Sequence, residues 1–288
     1  MHSRHIFPLA VCLLPLWPAL LAQAQQAASS PLPAIPQLMK EVHEHQKQLD
    51  KVQENYTFSA SQVIQEIDGK GQVSKTETAE SEEFFVNGHQ LGRTVKKNGQ
   101  PLTGHDLEKE TARVAKWVEK AEKTPPDRPL EDDLGEITVS RMLEIMDVRN
   151  ERREIYRGRP AIVFDFVGRK DARTHGLVED VSKKLQGTMW IDEADRQIAH
   201  VDVAFEDNFH VGGGVVANIQ KGSNYHFDQS QVNGEIWLPT GSEGSIQVRV
   251  LLVKGFHVRV TERDYDYKRF HIEAQQGKDS KVVVEKKP

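Results

Sequence analysis

Histidines and carboxylates are the residue types from which this chain could build a reaction centre, and their spacing gives little to work with. His43-Glu44-His45 places two imidazoles at i and i+2, which on a helix project about 200° apart and cannot share a metal ion. The metalloprotease spacing, two histidines four apart around a glutamate, is absent. His200, Asp202, His210, His226, His257 and His271 are spread over segments that read as strands, and nothing in their spacing gathers three of them. Serines are plentiful, yet there is no Gly-x-Ser-x-Gly elbow to present one as a nucleophile. Gly212-Gly213-Gly214 lacks the strand-to-helix setting of a phosphate loop and reads as a bend. Asp165 lies among apolar residues in Ala161–Val167, where a hydrogen-bonded structural carboxylate, or one turned to a groove mouth, is expected rather than a general acid. The expectation is a binding protein with no catalytic residue, no metal and no cofactor.

The N-terminal residues fix the compartment. Arg4, between His2 and His5, precedes an apolar run from Ile6 to Leu21, and Ala22-Gln23-Ala24 has the small-x-small form at which signal peptidase cuts. The run is short for a spanning helix and is interrupted by Pro8, Pro15 and Pro18, which argues against a membrane anchor. Leu9-Ala10-Val11-Cys12 looks like a lipoprotein processing box, but Val11 is large for the position before the cysteine and the apolar core continues past it. Cleavage after Ala24 removes the one cysteine and leaves no disulfide or thiolate site. A soluble periplasmic protein, in transient contact with membrane only, is expected.

Composition narrows the class. The formal net charge of -5 leaves no basic field for nucleic acid, and 28% charged residues with 7% aromatics suit a soluble domain with a real core. Nothing repeats at a solenoid period. Residues 25–36, rich in Ala, Ser, Pro and Gln, read as a flexible linker between the signal peptide (1–24) and a single domain (37–270), with a loose charged tail over 271–288.

The elements that must carry any site are mostly strands. Leu38, Val42, Leu49 and Val52 mark an amphipathic helix starting at Pro36 and ending near Glu54. Hairpin signals follow at Asp68-Gly69-Lys70-Gly71, Asn87-Gly88 and Asn98-Gly99. Thr103 and Asp106 resemble a capping box, opening a helix with Leu107, Val114, Trp117 and Ala121 on its apolar side. Val139, Met142, Leu143 and Met146 occupy i, i+3, i+4 and i+7 of a further helix, either a lid over the sheet or plain core. From Val148 to Phe270 the chain alternates short apolar segments with turns at Arg157-Gly158, Asp195-Arg196 and Asn233-Gly234. The fold class is α+β: a large curved antiparallel sheet forming an unclosed β-barrel, with an N-terminal helix and capping helices on its open side. Ala199, Val201, Val203 and Phe205 share one face of a strand, and His200, Asp202 and Glu206 the other.

Gly187-Thr188-Met189-Trp190-Ile191-Asp192, Val232-Asn233-Gly234-Glu235-Ile236-Trp237-Leu238-Pro239 and Tyr265-Asp266-Tyr267-Lys268-Arg269-Phe270, in that order, resemble the outer-membrane lipoprotein-sorting superfamily of periplasmic carriers. The resemblance spans about Gln37 to Phe270 and implies an acyl chain, a lipid or a lipoprotein as partner, held in an apolar cavity between sheet and helices. Residues expected around that ligand are Trp117, Met142, Met146, Trp190, Val201, Val203, Phe205 and Trp237. A related use of the scaffold, sensing envelope stress through a protein partner, is the alternative, and an uncharacterised hydrolase a second one. A monomer is expected. The chain is longer than the basic carriers, and no residue aligns with the polar gate on which their opening depends.

Overall fold

The computed structural model describes residues 31–53, 55–126, 128, 130, 143–211, 217–250, 254–273 and 281–284. The expected signal peptide, Cys12, Val139 and Met142 lie outside them. Among the described residues no helix is long and apolar enough to cross a membrane.

Helix α1 spans Ile35–Gln53. Ile35, Leu38, Met39 and Val42 are buried, the i, i+3, i+4, i+7 stripe that drives an amphipathic helix onto a sheet. Two polar contacts fix its placement: Glu41 pairs with Arg196 at 2.8 Å, and His45 Nδ1 lies 2.8 Å from the carbonyl oxygen of Asp195. Further along, Leu49 packs on a fully buried cluster of Tyr56, Ile236 and Leu238.

Among the described residues fourteen strands form the sheet: β1 Tyr56–Ile67, β2 Val73–Val86, β3 His89–Lys97, β4 Gln100–Pro101, β5 Met146–Tyr156, β6 Arg159–Gly168, β7 Leu185–Asp192, β8 Ile198–Phe205, β9 Phe209–Val211, β10 Ala217–Ile219, β11 Asn224–Val232, β12 Ile236–Val250, β13 Lys254–Glu273 and β14 Lys281–Val284. The main path runs β4-β3-β2-β1-β13-β12-β11-β8-β7-β6-β5, so the sheet is not closed. Every pairing is antiparallel, and the long-range one, β1 with β13, joins the two halves of the chain. Four of the tight turns have both central residues at positive φ: Asn87-Gly88, Asn98-Gly99, Arg157-Gly158 and Asn233-Gly234. This is the geometry of the turn whose twist matches paired strands.

Helix α2, Gly104–Lys123, lies against β2 and β3. Thr103 is its N-cap, but its side chain makes no capping bond, so the expected capping box is not formed. Glu110 clasps the helix to β3 instead, accepting from the Thr94 backbone N–H at 2.6 Å and from Arg113 at 2.8 Å. Arg113 holds the Glu110 carboxyl down to about 2 despite its burial, with the Thr94 hydrogen bond adding to the effect. Leu107, expected on the apolar side, is exposed. The short helix α3, Leu177–Ser182, fills the connection before β7.

Two further expectations change. Met146 is not on a helix: residues 143–145 make one helical turn, and Met146 opens β5, buried and paired with Gly168. Strand pairing overrides the helical spacing of the apolar residues there. At the other end, β13 continues past Phe270 to Glu273, and β14 pairs with its last residues.

Candidate functional site

Residues directly opposite in paired strands share a face, so the registers can be followed across the sheet. One row reads Phe166, Gly187, Val203, Tyr225, Gly244, Val260, Ile64 through β6, β7, β8, β11, β12, β13 and β1. The next begins Phe164, Met189, Val201, Phe227. The first row is apolar or glycine across all seven strands, whereas the second turns polar past β11, at Ser242, Glu262 and Gln62. The glycines are part of the apolar surface's construction. A side chain at Gly187 would meet the Asp202 carbonyl oxygen at 2.1 Å and the Phe166 ring at 2.6 Å, and one at Gly244 would lie 3.5 Å from the Tyr225 ring. Aromatic rings occupy the space those two residues leave, as they do over glycines in other sheets. Phe164 and Ile162 are buried, while Tyr225 (44%) and Ile246 (47%) stand exposed towards the β12 side. The surface is thus covered at the β6 side and open over β11 and β12.

The expected ligand contacts divide over this frame. Val201, Val203 and Phe205 lie on the apolar face, where Phe205 packs near Phe209. Trp190 does not, because it pairs with His200, the alternating neighbour of Val201. Its indole N–H donates to Glu154 and its ring lies 4.8 Å from that of His200, on the face away from Val203. Trp117, half-buried on α2, carries Lys120 over its ring at 5.0 Å. Trp237 on β12 is buried, donates to Asp195 and stacks under Arg159. Met146 is core, as above.

The opposite face carries the polar chemistry. Arg152, Val163, Trp190, His200 and Asp228 form one row across β5, β6, β7, β8 and β11; Asp165, Thr188, Asp202 and His226 form the next. Asp165 accepts from Asn150 (2.8 Å), Thr188 (2.9 Å) and Arg152 (3.3 Å). These bonds, that of Asn150 foremost, hold its carboxyl below the usual range, so Asp165 is the hydrogen-bonded structural acid expected. Tyr156 on β5 reaches Asp228 on β11, Oη to Oδ1 at 2.6 Å. Four strand spacings separate them, about 19 Å in a flat sheet, so the sheet must bend over this face here. Burial, and then the bond to Asp228, push the Tyr156 hydroxyl well above its ordinary pKa, which keeps it a neutral donor.

The same registers overturn one expectation from the sequence. Three dispersed residues do converge: His200, Asp202 and His226 bring one ligand atom each within 4.8 Å of one another. The signal was present as two tripeptides, His200-Val201-Asp202 and His226-Phe227-Asp228. Antiparallel pairing sets His200 opposite Asp228 and Asp202 opposite His226. Asp202 and His226 also border a cleft of ≈ 370 Å³ with Arg149, Asp165, Thr188 and Asn224.

At its β1 side the apolar face meets carboxylates. Asp264 pairs with Ala60, four residues before Ile64 on the same face of β1. Burial, with the charges of Glu262 and Glu83 adding to it, pushes the Asp264 carboxyl up to about 7. The folded chain therefore retains a proton there that an unfolded carboxyl gives up near pH 4. Between these two values the native state binds more protons than the unfolded one, so this group lowers stability as pH rises from about 4 to about 7, and its effect is constant above. Asp264→Asn is expected to raise the melting temperature at pH 8 and to remove that part of the slope. Identical melting profiles for the two proteins from pH 4 to pH 8 would contradict the assignment.

The chain matches no family model and no curated protein. Among solved structures it is similar to an outer membrane lipoprotein-sorting protein domain from Vibrio parahaemolyticus, with 12% identity over 84% of this chain and 93% of that one and a TM-score of 0.33. A DUF1329 family protein from Desulfovibrio piger shares 10% identity over 83% and 94%, with a TM-score of 0.32. The MucA/MucB complex of Pseudomonas aeruginosa contributes a chain with 11% identity over 78% and 94%, at a TM-score of 0.24. The first bears the name of the superfamily that the sequence resembles. At such scores the likeness carries no argument for function.

Proposed function

We propose that this is an exported periplasmic binding protein that carries or senses a lipid-like ligand, the acyl chain of a lipid or lipoprotein, on the apolar face of its open sheet. The observation that carries the proposal is the row from Phe166 to Ile64, apolar or glycine at every one of seven strands and exposed at Tyr225. Hydrocarbon laid along it is stabilised by about 25 cal/mol per Å² buried, and the surface needs no catalytic group to hold it. Val201, Val203 and Phe205 would contact the ligand, joined by Tyr225 and Phe227, and the carboxylates around Asp264 would bound it at β1. Organic extraction of the purified protein followed by mass spectrometry is expected to yield acyl lipids near one per chain. Protein that yields none, and that also fails to bind a long-chain fluorescent fatty acid, would remove the proposal.

A second reading, an envelope protein as partner, has one specific observation in its favour. Among the described residues β5 ends the path of the sheet, and Ile155 near its end is 71% exposed. An open edge of this kind can take an added strand from another polypeptide.

A further inference from the structure

We propose that His200, Asp202 and His226 form a binding site for a divalent transition-metal ion of the zinc class, on the face of the sheet opposite the apolar row. The site owes nothing to the lipid reading. Its ligand atoms are His200 Nε2, Asp202 Oδ1 and His226 Nδ1. The first two are 2.9 Å apart, and His226 Nδ1 is in contact with the same Asp202 oxygen. Tetrahedral zinc, with bonds of about 2.0–2.2 Å, sets its ligand atoms about 3.3 Å from one another. All three here already fall within 4.8 Å, so small side-chain rotations complete the arrangement. Two imidazoles and one carboxylate select zinc or a neighbouring transition ion over magnesium or calcium, which take oxygen ligands.

What separates this cluster from an ordinary surface ion pair is the support behind it. His200 Nδ1 faces Asp228 Oδ1 at 2.9 Å. Asp228 is in turn held by the Tyr156 hydroxyl at 2.6 Å and by Arg157 at 3.1 Å. A carboxylate behind one ring nitrogen keeps the proton on that side and turns the lone pair of the other towards the ion, the usual arrangement behind a metal-binding histidine. His200 is mostly buried, with 14% of its side chain exposed, whereas Asp202 (40%) and His226 (45%) are open to solvent. An ion therefore has an entry path, and a fourth coordination position faces the cleft, where water or an anionic group fits. Two His-x-Asp tripeptides in antiparallel register make the whole unit: three ligands, with the fourth residue behind them.

The test is titration of the purified, tag-free protein with Zn²⁺ against a chromophoric chelator, with Co²⁺ absorption as a second readout. One Zn²⁺ per chain and the ligand-field bands of low-coordinate Co²⁺ are expected. His226→Ala should weaken Zn²⁺ at least tenfold, and Asp228→Asn, which leaves all three ligands in place, should weaken it about 10–100-fold. His257→Ala should change nothing. Because the His226 side chain is largely at the surface, its variant tests the site even if His200→Ala fails to fold. No stoichiometric Zn²⁺ binding at pH 8, or binding undiminished in a folded His226→Ala, would overturn the proposal.

Discussion

Leu238→Ala is expected to destabilise the protein by about 2–5 kcal/mol, the cost of removing buried hydrocarbon and leaving a cavity. Leu238 is fully buried with Tyr56 and Ile236, and Leu49, Val232 and Tyr267 pack against the three. That cluster is where α1 meets β1, β11, β12 and β13, so its loss loosens the helix from the sheet as well as the sheet from itself. Ile155→Ala, removing a side chain that is 71% exposed, should stay within about 0.5 kcal/mol of the parent. Urea unfolding of the two variants beside the parent checks the pair. Equal shifts would mean that α1 is not anchored through this cluster.

Val203→Glu is expected to lower the affinity for a long-chain fatty-acid probe at least tenfold, which is about 1.4 kcal/mol. The substitution puts a carboxylate in the middle of the seven-strand row, where bound hydrocarbon would strip it of water. Val203 is half-exposed in the free protein, so stability should change far less than binding. Glu243→Gln supplies the control, since Glu243 is exposed, pairs with His226, and so projects from the opposite face. An affinity unchanged by Val203→Glu, in a protein with unchanged melting, would place the ligand elsewhere.

Much of this fold can be read from residue order, because its local rules are strict. Asn-Gly and Arg-Gly turns announce hairpins through the positive φ they must adopt, and α1 follows from the spacing of Leu38, Val42 and Leu49. The candidate sites are harder because they depend on pairing between distant segments. No local pattern says that Ile64 will lie beside Val260, yet that register completes the apolar row. Trp190 illustrates the cost of one position: a residue beside the apolar Met189 and Ile191 points away from both, to His200. The periodicity over residues 139–146 predicts one helix through Met146, whereas pairing with Gly168 makes Met146 a strand residue. The histidine cluster was partly legible. Two His-x-Asp tripeptides on strands invite a reciprocal pairing, but only the β8 to β11 register brings it about.

Residue-level mapping of a photoactivatable fatty acid bound to the purified protein tests the central claim most directly, because alternation makes neighbouring residues report opposite faces. Label is expected at Val201, Val203, Phe205, Tyr225 and Phe227, and not at His200, Asp202 or His226 between them. Label confined to the histidine face, or spread equally over both, would contradict an acyl-binding surface on the apolar side of the sheet.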